Sequence, residues 1–440
     1  MISKGMFEVK NTYDVIVVGG GLSGICAAVS AAREGARTAL IERYGILGGM
    51  LTSGNVYPIL GMVSEGTIYD EMVNLLDSDS QEKIISGNGR EIPVDVERAK
   101  GVLLNFAREN HVDIWLQTPV VEAQMMDNRL TGVVIGTQDG LKVLEAKVFI
   151  DATGDGQLAA MAGAPYEIGR AGDGKCQPVS MIFTVGGVDP EVGVVVNGRS
   201  DKVRLPDGML YADVCEAANQ RGELPPNVTI VRLHRTCYAD ERNVNASQAN
   251  GYDTLTPEGV TAAELDLKGQ IDQIMAFLRK NVPGYEDCYV KAIGSTLGVR
   301  ETRRILGECT VTDEDVEQGR KYSDVVVHNA WFKIDIHNPA GGGQAEKYAQ
   351  ACIPYDIRYG SLVPLKVDGL LTAGRCISGT HRAHASYRVM GICMGMGQAA
   401  GIAAALCAGK NCTPRALDVR EVQKRLVECG VDLGLLFYSK

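Results

Sequence analysis

The sequence predicts an α/β fold in which a mostly parallel sheet, assembled from both ends of the chain, is interrupted by an inserted α+β region. Three observations predict it. Apolar strand patterns run into glycine turns near residues 18, 151 and 373, the first is followed by a helix and a second strand, and the stretch between residues 164 and 360 has a different texture with no such unit.

The first element is Tyr13-Asp14-Val15-Ile16-Val17-Val18, nearly continuous in apolar character, as a strand buried on both faces requires. It runs into Gly19-Gly20-Gly21-Leu22-Ser23-Gly24. Gly19 permits a tight turn, Gly21 lets the backbone approach a pyrophosphate, and Gly24 lets the next helix sit close to the sheet. That helix is expected over residues 22–34, with Leu22 and Ser23 in its first turn and its free N–H groups and positive dipole end turned to phosphate. After Thr38-Ala39-Leu40-Ile41 comes Glu42, placed to accept hydrogen bonds from a ribose. Strand, glycines, helix, strand and acid together form a dinucleotide-binding fingerprint, the mark of a Rossmann-like domain.

Where a nicotinamide enzyme continues with another strand and helix, Glu42 leads into Arg43-Tyr44-Gly45-Ile46-Leu47-Gly48-Gly49-Met50-Leu51-Thr52-Ser53-Gly54. Such a glycine-rich loop can bring N–H groups to a second phosphate and lay Met50, Leu51 and Thr52 beside a flat ring system. Helices are expected over 68–76 and 94–110, and short strands over 114–116, 120–126 and 130–135, with Asp127-Asn128 as a turn. Val148-Phe149-Ile150-Asp151 is another buried strand, ending at Ala152-Thr153-Gly154-Asp155-Gly156. Asp155 either supports a phosphate or closes that turn.

The middle region carries a strand over 180–185, and Pro257-Glu258-Gly259 precedes a helix over 260–281 with an apolar face of Leu265, Ile271, Ile274, Phe277 and Leu278. Gly341-Gly342-Gly343 follows no apolar strand and reads as a loop, so the region is expected to cover a substrate rather than hold a second nucleotide. Gly369-Leu370-Leu371-Thr372-Ala373-Gly374-Arg375 is the last buried strand and turn, and a helix over 391–406 carries Gly395, Gly397, Ala399, Ala400 and Gly401 for close packing.

Composition excludes several classes. With 44 basic against 54 acidic residues the formal charge is -10, and without a basic stripe nucleic acid is a poor partner. No uninterrupted apolar run reaches the roughly 18–20 residues of a membrane span, and the first dozen residues lack the apolar core of a signal peptide, so a cytoplasmic location is expected. Twelve cysteines include no Cys-x-x-Cys pair, and His381 with His384 alone is short of ligands, so no metal is expected.

The fingerprint, the Leu47-Gly48-Gly49-Met50-Leu51-Thr52 loop, Ile150-Asp151-Ala152-Thr153-Gly154-Asp155-Gly156, Gly298-Val299-Arg300-Glu301-Thr302-Arg303-Arg304-Ile305 and the stretch 369–401 resemble the FAD-dependent oxidoreductases of the glutathione-reductase-like, two-domain flavoprotein superfamily, most of all a bacterial group of FAD-dependent oxidoreductases. The resemblance implies an FAD-binding domain in two parts, 1–163 and 361–440, around a substrate domain, 164–360. It implies FAD held by Gly19, Gly21, Leu22, Ser23, Gly24, Glu42, Arg43, Gly48, Gly49, Met50, Thr52, Val120, Val121, Thr153, Gly154, Gly374, Arg375, Met390, Gly391 and Ile392. Relatives often carry an acid where Arg375 stands.

The best catalytic candidates lie in Thr380-His381-Arg382-Ala383-His384-Ala385-Ser386-Tyr387-Arg388-Val389-Met390-Gly391, expected to be a loop leading into the last helix. Its spacing is similar to a segment of the fumarate-reductase flavoproteins in which a histidine and an arginine hold a substrate carboxylate. His384 is the first candidate to move a proton and His381 the second; Arg388 is a candidate anion clamp, with Arg300 and Tyr387 as substrate contacts. If an arginine of the 300–304 cluster turns inward, Glu301 would hold it. The expected activity is hydride exchange between a small organic substrate and flavin N5. Alternatives are an electron-transfer subunit served by a separate protein and, further off, a monooxygenase; a homo-oligomer is left open.

Overall fold

The computed structural model describes residues 9–77, 84–86, 89–91, 93–341 and 352–435. The first strand, Val9–Val18, lies inside a seven-stranded sheet and pairs in parallel with Thr38–Ile41 on one side and Gly140–Asp151 on the other. Asp113–Trp115 extends the sheet beyond Thr38–Ile41. Gly140–Asp151 is long enough to serve two neighbours on its far edge: its first half pairs with Arg129–Thr137 and its last three residues with Leu370–Thr372. Val120–Met126 closes the antiparallel flank, and Asp127 makes the turn at φ 54°. Parallel strands from both ends of the chain thus stop side by side, the α/β, Rossmann-like arrangement that the glycine turns predict.

Two helices cover one face of this sheet. Leu22–Arg33 packs on Met390–Lys410, and the contact depends on missing side chains: a Cβ on Gly397 would lie 2.1 Å from the Ser23 carbonyl oxygen and one on Gly401 2.2 Å from that of Ala27. Met390–Lys410 is long and apolar enough to cross a bilayer, yet 89% of its most apolar window is buried inside the protein. Its apolarity is that of a helix enclosed on all sides.

Four further strands form an antiparallel sheet in the order Arg232–Arg235, Arg242–Asn245, Phe183–Gly186, Tyr289–Ile293. One face, with Leu233, Val244 and Phe183, packs on helix Pro257–Asn281 through Leu267, Ile271, Ile274 and Leu278. That helix starts earlier than the sequence pattern suggests, because Pro257 fits its first turn and the Thr256 hydroxyl accepts the Gly259 N–H at 3.2 Å. Leu265, expected on its apolar face, is 72% exposed. The other face of the sheet alternates with the core residues and carries Arg232, His234, Asn243 and Thr184.

The stretch 380–388 corrects an expectation. It is a helix, His381–Tyr387, because the Thr380 hydroxyl caps the Ala383 N–H at 3.2 Å and the alanines favour helix, where a loop was expected. Of the glycine triplet, Gly341 turns at φ 83°, while Gly342 and Gly343 lie outside the described residues.

Candidate active site

A cleft of about 320 Å³ opens where the parallel strands end. Its walls include Gly19, Gly21, Leu22 and Ser23 from the first turn, Glu42 and Arg43 after the second strand, Gly48, Gly49 and Met50 from the next loop, Val120, Thr153 and Gly154, and Gly374, Arg375, Arg388 and Met390 from the C-terminal part. Residues more than 300 positions apart in sequence therefore share one cavity.

The turn geometry explains the glycines. Gly19 sits at φ 103°, and a Cβ there would lie 2.5 Å from the Ala152 carbonyl oxygen. Gly24 is closer still: its Cβ would lie 1.8 Å from the Gly19 carbonyl oxygen. Gly21 differs, since a Cβ would meet only the Gly49 Cα at 3.9 Å, leaving its cleft side open. Glu42 is buried and accepts the Gly20 N–H at 2.6 Å and the Tyr44 N–H at 2.8 Å; burial pushes its carboxyl up and these bonds pull it back. Asp151, fully buried, accepts from the Thr153 N–H, the Thr153 hydroxyl and the Ala159 N–H at 3.0, 2.7 and 2.8 Å, which fixes the turn below the cleft.

Three buried polar atoms in these walls have no partner among the described residues, the Ser23 hydroxyl, Arg375 Nε and Arg388 Nε. With the open side of Gly21 and the N-terminus of Leu22–Arg33, the first two fit an anionic group such as a pyrophosphate. Arg375 pairs with Asp155, whose carboxylate also accepts the Thr302 hydroxyl at 2.8 Å. Against the desolvation that raises it, the Arg375 charge and this bond hold the Asp155 carboxyl below its ordinary value. Asp155 and Arg375 thus face the cleft as a pair.

Several expected residues lie elsewhere. Gly24 packs beneath the turn, and Thr52 is buried with its hydroxyl on the Leu47 carbonyl at 2.6 Å. Val121 is 42% exposed, because strand alternation sends it to the face opposite Val120. Gly391 faces the Gly61 carbonyl, Ile392 is fully buried, and neither lines the cleft. Tyr387 is enclosed, its hydroxyl donating to the Ile377 carbonyl at 3.2 Å. His384 and His381 lie behind the wall, 1% and 9% exposed. Burial, then the charges of Arg388, Arg304 and Arg375, press His384 well below the ordinary histidine range.

Arg388 connects the cleft to a cationic cluster. Its Nη2 donates to the Asp335 carbonyl at 2.7 Å, and the Asp335 carboxylate lies 3.4 Å from His337 Nε2 and 3.9 Å from Arg388. Arg300 donates to the Pro178 carbonyl at 2.8 Å, and burial, then the Arg388 charge, lowers its guanidinium to about 9. Arg232 reaches the same place from the polar face of the antiparallel sheet, where its charge acts on Asp335, Arg300 and His337. Burial, then Arg300, pushes His337 down to about 3, so the imidazole is neutral. Among the described residues, three arginines share one aspartate in this cluster, an excess of two positive charges.

Sequence reasoning passed over Tyr44, Thr118, Pro119, Thr296, Leu297 and Cys393 in the cleft and Arg232 in the cluster. Tyr44 joins the two halves of the site through a 3.0 Å bond to the Thr296 hydroxyl. Only Arg232 left a signal: Val231-Arg232-Leu233-His234 alternates apolar with polar positions, the pattern of a strand whose second face is polar.

A profile of the family described as FAD dependent oxidoreductase matches residues 14–426. Digeranylgeranylglycerophospholipid reductase of Thermoplasma volcanium is 28% identical over 162 residues, 32% of this chain and 39% of that one. Dihydrolipoyl dehydrogenase of Trypanosoma brucei brucei is 38% identical over 65 residues, 15% of this chain and 14% of that one. The chain therefore spans well under half the length of either curated relative. Among solved structures, a geranylgeranyl bacteriochlorophyll reductase-like protein of Thermoplasma acidophilum aligns over 96% of this chain and 84% of its own, with 15% identity and a TM-score of 0.47. The p-nitrophenol 4-monooxygenase of Pseudomonas putida aligns over 96% and 86%, with 12% identity and a TM-score of 0.47.

Proposed function

The chain belongs to the FAD dependent oxidoreductase family, and on that premise we propose that it is a dehydrogenase or reductase of a small organic acid. Bound FAD supplies two-electron chemistry, giving or taking a hydride at N5. The glycine turn, Ser23, Glu42, Arg375 and the loop through Met50 would hold it. Arg388, at the junction of cleft and cluster, would orient the substrate's anionic group with Arg300, and a histidine of helix His381–Tyr387 would exchange the accompanying proton.

The observation that carries this reading is the excess of two positive charges around Asp335, beside a cleft suited to a dinucleotide. Partly buried guanidinium groups without matching carboxylates are costly to fold, and an anionic substrate removes that cost on binding. The test is anaerobic mixing of the FAD-loaded protein with small carboxylic acids, alcohols and amines while flavin absorbance is followed. Bleaching by an acid, or reoxidation of the reduced flavin by its unsaturated or oxo counterpart, supports the reading. Bleaching confined to neutral or cationic compounds overturns the acid assignment, and reduction that requires a second protein overturns the dehydrogenase.

A further inference from the structure

Behind Arg388 lies a carboxylate that the reading so far leaves without a task. Glu301 has none of its side chain exposed. One of its oxygens receives Arg304 and His381 Nδ1, the latter at 2.9 Å, and the other accepts the Gln177 N–H at 3.1 Å. Arg304, itself 3% exposed, is further tied to the Gly379 and Gly169 carbonyls at 2.9 and 2.8 Å. This is a rigid, paired ionic site, and Arg304 is the arginine of the 300–304 cluster that turns inward.

Its consequence falls on His381. Glu301 is paired with Arg304 and a carboxylate only accepts, so the ring nitrogen facing it is the one that carries hydrogen, and Nε2 is left with its lone pair. Nε2 is buried and has no hydrogen-bond partner among the described residues. Three more unpartnered buried atoms belong to the residues around it: Gln177 Nε2, His384 Nδ1 and Arg388 Nε. Four such atoms in one neighbourhood mark a place that a polar ligand or ordered water must satisfy. Gln177 ties this place to the anion cluster, since its Oε1 accepts the His337 N–H at 3.1 Å while its own N–H holds Glu301.

We propose that Glu301 is a positioning residue that fixes the tautomer of His381, and that His381 Nε2, rather than His384, is the atom that exchanges a proton with the substrate. The proposal rests on the dehydrogenase reading above. In the oxidative direction the substrate carbon loses its hydrogen with the electron pair to FAD, and the O–H or N–H on that carbon gives its proton to His381 Nε2. The substrate loses two electrons and two hydrogens, the cofactor gains two electrons and one hydrogen, and His381 becomes an imidazolium that Glu301 stabilises. His384, pressed against three arginine charges, resists taking up that proton. The titratable and charged groups around His381 are Glu301 and Arg304, His384 and Tyr387 on its own helix, Arg388 at that helix's end, Cys176 beside Gln177, and Asp313, which accepts the Thr380 hydroxyl from helix Asp313–Gln318.

The first test needs no substrate. With nitrogen-15-labelled histidine in the FAD-loaded protein, and His381→Asn to assign the signal, ring nitrogen shifts should show the Nδ1–H tautomer, with a protonation midpoint that moves to lower pH in Glu301→Gln. An Nε2–H tautomer, or an unmoved midpoint, overturns the proposal. The second test uses whichever small acid bleaches the flavin. His381→Ala, with its flavin retained, should slow bleaching about 10²–10⁴-fold and recover in part with added imidazole, while His384→Ala loses less than about tenfold. Wild-type bleaching in His381→Ala overturns it. If no acid bleaches the wild-type flavin, the dehydrogenase reading falls, and the nitrogen shifts still decide the role of Glu301.

Discussion

In a Gly21→Val variant the new Cβ meets only the Gly49 Cα, at 3.9 Å, and the backbone at φ -69°, ψ 173° suits any residue. The fold is therefore expected to survive, in contrast to Gly19, whose φ of 103° and 2.5 Å approach to the Ala152 carbonyl oxygen leave no room. The isopropyl group instead fills the open side of the turn, over the first N–H groups of Leu22–Arg33 and the Ser23 hydroxyl. A hydrogen bond to a charged group is worth about 1.5–3 kcal/mol, so losing two costs about 3–6 kcal/mol, or roughly 10²–10⁴ in the dissociation constant of FAD. Flavin content after purification and an FAD titration followed by fluorescence quenching measure the loss, and the melting temperature of the FAD-free protein reports the fold. A colourless protein that melts like the FAD-free wild type is the expected result. A fully yellow variant with unchanged affinity would refute the assignment of this turn to the cofactor.

Gly24→Ala should fail in the opposite way: its Cβ lands 1.8 Å from the Gly19 carbonyl oxygen, so the FAD-free protein itself should lose more than about 3 kcal/mol in denaturant unfolding. Asp151→Ala strands the Thr153 and Ala159 N–H groups, at about 1–3 kcal/mol each, and the same unfolding experiment should register both the loss and a weaker grip on FAD. Arg300→Met should raise the KM of an acid substrate about 10–100-fold with kcat changed far less, and steady-state kinetics that show the reverse would remove Arg300 from substrate binding. Acid stability follows from His234 and His337, both driven by burial to about 3. The unfolded chain takes up these two protons below about pH 6.5 and the folded protein does not until near 3, so stability should fall as pH drops through that window, by up to about 2.7 kcal/mol per unit for two protons. A melting temperature that stays flat from pH 6.5 to 4 would contradict the burial of both rings.

What the sequence disclosed and what it hid follow from range. The glycine turn, its strand and helix, and Glu42 are legible because each constraint acts within about thirty residues, and strand runs such as Val120–Met126 carry their own periodicity. Val121 went astray on that same periodicity: taken with Val120 as a contact, it belongs to the opposite face. The segment before the last helix was misjudged because a seven-residue helix carries too few turns to declare a stripe, and its Thr380 cap was the available sign. The cationic cluster could not be read at all as a unit. Arg232, Arg300, His337 and Arg388 come from different elements, and only tertiary packing makes one carboxylate serve them. Likewise, Glu301 and His381 stand 80 positions apart, and no local pattern announces a bond between them.

The close seating of Met390–Lys410 against Ser23 and Ala27 also sets an order of events during synthesis. The N-terminal strand and helix leave the ribosome first, but the face of Leu22–Arg33 that this last long helix covers, and the cleft wall from Gly374 to Met390, are contributed some 350 residues later. A nascent chain can form the glycine turn early and still have no closed place for a flavin. The cleft wall is therefore complete only once the segment from Gly374 to Met390 has joined it.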